Sequence, residues 1–74
     1  MEFSYNKLWK LLIDNNMMKK DLMAKTAITS TTMAKMSKGL PVNMEIIGRI
    51  CKAMNVNVGD IVDYIGDQSE KEGL

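Results

Sequence analysis

Histidine is absent from the 74-residue chain, and cysteine and proline occur once each, as Cys51 and Pro41. The missing histidine removes the commonest general base and the commonest zinc ligand. A lone cysteine permits neither an internal disulfide nor a thiolate metal cluster within one chain. No carboxylate pair or nucleophile–base arrangement stands out in their place, so the residues point to no enzyme, metal or cofactor. No run approaches the roughly 20 apolar residues of a membrane-spanning helix. The opening residues MEFSYNKLWK put an acid where a secretory signal wants positive charge, and they offer it no apolar core. The expectation is a soluble, cytoplasmic protein of one small domain with modest stability.

Charge is present but unevenly spread. The net charge is +1, which by itself suggests no partner. Yet the lysines at 7, 10, 19, 20, 25, 35 and 38 face only Glu2, Asp14 and Asp21 in the first forty residues. The remainder holds Arg49, Lys52 and Lys71 against Glu45, Asp60, Asp63, Asp67, Glu70 and Glu72. A basic half and an acidic half are compatible with binding a polyanion through one face. On charge alone, ordinary solvated surface is the favoured explanation.

The apolar spacing predicts helices. Leu8, Leu11 and Leu12, with Trp9 and Ile13 alongside, form the first from Asn6, and Asn15-Asn16 close it because asparagine tolerates the left-handed conformation. A second runs from Lys19 to Thr26 around Leu22, flanked by Met18 and Met23, with Asp21 in the first turn where the helix dipole favours an acid. The third follows Thr29 as N-cap, spans Ser30 to about Lys38, buries Met33 and Met36, and stops at Gly39. Asn43 caps a fourth that carries Ile46, Ile47, Ile50, Cys51 and Met54. Asn57 caps a fifth with Ile61, Val62, Tyr64 and Ile65. Ahead of these, Phe3 and Tyr5 alternate with Glu2 and Ser4, the period of a short extended segment. The predicted fold is all-α, a five-helix domain over residues 1–66 with a frayed tail at 67–74.

Helices two and three are separated by a turn of about four residues, with Leu22, Ile28, Met33 and Met36 as inward anchors. So short a link makes them cross steeply, and the second protrudes enough to enter a major groove about 12 Å wide. The stretch KKDLMAKTAITSTTMAKMSKG resembles the helix-turn-helix of the Cro/C1 (lambda-repressor-like, or XRE) family. NMEIIGRICKAMNVNVGDIVDYI is similar to the fourth and fifth helices of its small bacterial members. A narrower likeness is to small stand-alone members, VanU-like regulators among them. The chain departs from the family pattern at Met23, where alanine is usual, and at Ala27, where the turn usually has glycine.

The resemblance implies sequence-specific binding of double-stranded DNA by a transcriptional regulator. Carried over residue by residue, its base-reading positions fall on Ser30, Thr31 and Lys35. Hydroxyls donate or accept, a threonine methyl meets a thymine methyl, and lysine donates to guanine. Short side chains here, with Ala34 between, let the helix approach the bases closely. Phosphate contacts are expected from Lys19, Thr29, Lys38 and Asn43, with Lys20 weaker. Considered alone, the hydroxyl cluster is better explained by helix capping than by base contact. Trp9 reads as packing, and Cys51 as a buried small apolar residue.

One such module covers half a site, so a homodimer on a pseudo-palindrome is expected, its half-sites about 34 Å apart. Contacts would come from helix five with Tyr64 and Ile65, or from the Phe3–Tyr5 segment. The competing expectation is a helical protein-interaction module or antitoxin-like protein that grips a partner through its acidic half. A core this small leaves little room for an effector pocket of the usual ~300 Å³ or more.

Overall fold

Leucines at positions 8 and 12 lie one turn apart, and both are buried, on a helix that runs Asn6–Asp14. The computed structural model describes residues 1–66. In order, the elements are strand β1 (Glu2–Ser4), helices α1 (Asn6–Asp14), α2 (Lys19–Thr26), α3 (Ser30–Ser37) and α4 (Met44–Met54), a 3-10 turn (Val58–Asp60), and strand β2 (Asp63–Gly66). No helix among the described residues is long and apolar enough to cross a membrane.

The first four of the predicted helices form where the apolar period and the caps place them. Asn16 takes a φ of +55° just after α1, and Asn55 takes +56° at the end of α4, so each helix closes on a residue suited to that conformation. Leu22, Ile28, Met33 and Met36, expected as anchors of helices two and three, are all buried. With Leu8, Leu12, Ile47, Ile50 and Ile61 they form one core, to which Tyr5 also belongs. Met18 departs from expectation: it is 63% exposed and does not flank Leu22 in the core. Ile13 is likewise exposed.

The fifth helix does not form, so the fold is not all-α. Its first residues make only the 3-10 turn at Val58–Asp60, and Tyr64 and Ile65 lie on β2. The segment is rich in β-branched and aromatic side chains, which fit a pleated strand better than a helix. Its partner is β1, the extended segment read at the N-terminus. The strands are antiparallel, with Phe3 opposite Tyr64 and Ser4 opposite Asp63, and the register shifts between Glu2 and Phe3. Phe3 and Tyr64 meet edge to face with ring centroids 5.5 Å apart, a favoured aromatic geometry. Lys7 adds a tie, its Nζ donating to the Gly59 carbonyl and to Asp63 Oδ1 at 3.1 Å each. Both side chains are about half exposed, so this ion pair contributes at most about 1 kcal/mol. The tail expected at 67–74 lies outside the described residues.

β1 also holds the far end of α3. The Phe3 amide donates to the Gly39 carbonyl at 2.9 Å, and the Tyr5 hydroxyl donates to the Leu40 carbonyl at 2.9 Å. Gly39 has a φ of +76°, and a Cβ there would sit 2.8 Å from the Phe3 carbonyl oxygen. Glycine is thus required twice over, by conformation and by space.

Candidate nucleic-acid interface

The turn between α2 and α3 consists of Ala27, Ile28 and Thr29. Ala27 adopts φ +59°, ψ +26°, the left-handed geometry in which a Cβ is penalised. Ile28 plugs the turn into the core. Thr26, the buried polar residue of α2, donates its hydroxyl to the Leu22 carbonyl at 2.7 Å, so its burial leaves no polar atom unpaired. At the start of α2, Asp21 Oδ2 accepts from the Met18 amide at 2.8 Å, the N3 half of a capping box, while Met18 itself makes no side-chain cap.

Thr29 caps α3. Its Oγ1 accepts from the Thr32 amide at 3.3 Å and donates to the Thr32 hydroxyl at 3.2 Å. The hydroxyl cluster is therefore divided: Thr29 and Thr32 serve the helix start, whereas Ser30 and Thr31 are exposed. Lys35 further along the helix and Lys38 at its C-cap are also exposed, with exposed Ala34 between Thr31 and Lys35. Among the described residues, the side chains of Ser30, Thr31, Lys35 and Lys38 have no hydrogen-bond or ion-pair partner. A row of unpaired donors and acceptors on an exposed helix face is free to meet an external partner.

Asn43 caps α4, its Oδ1 accepting from the Ile46 amide at 2.9 Å. Fixing the oxygen in this way aims the side-chain NH₂ away from the helix, where it can donate to an anion. Asn43 and Lys35 line one shallow depression of about 220 Å³ with Thr32, Pro41, Val42 and Ile46. Residues expected to touch bases and phosphates thus border the same hollow.

Lys19 is placed differently from a free surface lysine. Its Nζ lies 4.4 Å from the centroid of the Trp9 ring and donates to Ser37 Oγ at 2.9 Å. The junction joins α1, the start of α2 and the end of α3. Sequence reading took Trp9 as packing and passed over Ser37, because residues 9, 19 and 37 share no local period. The basic character is also not confined to one half of the chain: Lys25 borders a depression of about 330 Å³ with Arg49 and Lys52. Arg49 is paired there with Glu45.

The geometry has counterparts among known proteins. The Cro/C1-type HTH DNA-binding domain matches residues 7–67. Among solved structures, the chain is similar to the crystal structure of the transcriptional regulator VanUg, form II, with a TM-score of 0.85 and 38% identity, covering 89% of this chain and 88% of that one. No curated protein matches it. With a tight α2–turn–α3 unit, an exposed polar face on the third helix and a family match over residues 7–67, the chain belongs to the Cro/C1-type helix-turn-helix DNA-binding domains.

Proposed function

We propose that the protein is a transcriptional regulator that binds a specific double-stranded DNA sequence by placing α3 in the major groove. The observation that carries this reading is the exposed, unpaired row of Ser30, Thr31 and Lys35 on α3 and Lys38 at its C-cap. In this reading Ser30, Thr31 and Lys35 meet base edges. Lys19, Thr29, Lys38 and Asn43 meet phosphates and set the register. Thr29 takes on this second task by turning its hydroxyl hydrogen from Thr32 Oγ1 to the phosphate, while its oxygen still accepts from the Thr32 amide. The likeness to a transcriptional regulator at 38% identity supports the regulatory part.

Binding as a homodimer on a pseudo-palindrome follows from the small footprint of one module. β1 is engaged within its own chain by β2, which makes the Phe3–Tyr5 segment a poor two-fold contact. Tyr64 and Ile65 are 59% and 41% exposed and are the better candidates.

The test is a fluorescence-anisotropy titration against duplex DNA from immediately upstream of the gene and against a scrambled duplex, at two salt concentrations. Preference for the upstream duplex that survives the higher salt supports a specific regulator. Equal binding that vanishes with salt reduces the face to a non-specific polyanion surface. No binding at either salt favours the protein-interaction alternative.

A further inference from the structure

We propose that Trp9, Lys19 and Ser37 form a seat for one DNA backbone phosphate, in which Ser37 shares the anion with Lys19 and Trp9 fixes the ammonium. The inference rests on the DNA-binding reading and adds two residues to it. An ammonium has three donors. The bond to Ser37 Oγ uses one of them at 2.9 Å, and the others remain available. Because Ser37 accepts from Lys19, its own hydroxyl hydrogen is also unengaged. Two donors held side by side match two oxygens of one phosphate.

Trp9 supplies the third part. A lysine side chain is flexible and loses rotamer freedom on being held. With its Nζ 4.4 Å from the ring centroid, the Lys19 ammonium is held over the indole face before any anion arrives. Trp9 is half-buried and packs against the core, whereas Lys19 and Ser37 are exposed. The platform is therefore rigid and the donors are accessible. Since the three residues come from α1, α2 and α3, an anion here would bear on the orientation of the recognition helix at its C-terminal end.

Trp9 is the chain's single tryptophan, so its emission reports on the seat directly. The experiment titrates the full chain with a fluorescein-labelled scrambled duplex at low salt, reading anisotropy and Trp9 emission together. The expected result is a change in Trp9 emission in step with binding, as phosphate neutralises the ammonium over the ring. Lys19→Met should abolish this change and lower the salt slope by about 0.9. Ser37→Ala should weaken binding about three- to ten-fold on every duplex, with the slope unchanged. Trp9→Leu should weaken binding about two- to five-fold, with Trp9→Phe restoring most of it because a ring face remains. Normal binding with constant Trp9 emission and an unaffected Ser37→Ala variant would overturn the seat and leave DNA binding intact. Absence of any anisotropy change would instead remove the DNA-binding reading, and the seat with it.

Discussion

The hydroxyl of Tyr5 reaches across to the carbonyl of Leu40 and donates to it at 2.9 Å, joining the entrance of α1 to the loop that leaves α3. Burial pushes the Tyr5 hydroxyl above its ordinary pKa of 10.0, since the charged form loses its water. A group whose pKa is raised on folding contributes stability that is complete below its unfolded value. That contribution fades as pH rises through the folded one. Tyr5→Phe should lower stability by about 1 kcal/mol near neutrality and reduce the loss of stability above about pH 10. Urea midpoints measured for both proteins from pH 7 to 11 test this; identical alkaline slopes would contradict it.

Ala27 is the clearest place where the chain is not at its optimum. An alanine at φ +59° is strained, and glycine at the same position is not. Ala27→Gly should therefore raise stability by about 0.5–1 kcal/mol, the relieved strain outweighing glycine's extra unfolded-state entropy. A higher urea midpoint with an unchanged m-value is the expected signature.

Gly39 gives the opposite result. Gly39→Ala meets both the positive φ and the Phe3 carbonyl oxygen, so a loss of about 1–3 kcal/mol is expected. Since the clash lies between β1 and the loop after α3, amide hydrogen exchange should report the loosening first at Phe3.

Thr31 and Lys38 separate the two kinds of DNA contact. Thr31→Ala should change preference at one base position by about 1–3 kcal/mol. Lys38→Ala should weaken all duplexes similarly and flatten the salt slope by about 0.9. Binding to a panel of single-base operator variants distinguishes them. Two variants that behave alike would refute the division into base and phosphate contacts.

Thr29→Ala tests how much of the hydroxyl cluster is structural. Removing the cap on the Thr32 amide should cost about 1 kcal/mol of stability. Ser30→Ala, with no cap to lose, should leave the thermal midpoint nearly unchanged.

Most of the helix-turn-helix was legible in the sequence because its signals are local. Leu22 sits amid a helix-forming run, Met33 and Met36 fall at helical spacing, Ile28 is the apolar residue of the turn, and Thr29 and Asn43 announce the caps that the structure shows. The C-terminal strand was not legible. Ile61 and Ile65 also fit a helical spacing, and what decides their conformation is pairing with residues some sixty positions earlier. Tyr5 was missed as a core residue for a related reason. Its burial depends on the loop at Leu40, which no local pattern connects to it. The Trp9–Lys19–Ser37 junction lies further still from anything spacing can disclose, since each residue belongs to a different helix.

The pairing of β1 with β2 also bears on the order in which the chain assembles. Contacts within and between neighbouring helices close short loops, whereas this ladder must bring residue 2 to residue 66 before it gains anything. The helices are thus expected to gather first and the ladder to close last. Because β1 carries the bonds to Gly39 and Leu40, the end of α3 would be secured only in that final step. Substitutions at Phe3 or Tyr64 should then hasten unfolding far more than they slow refolding.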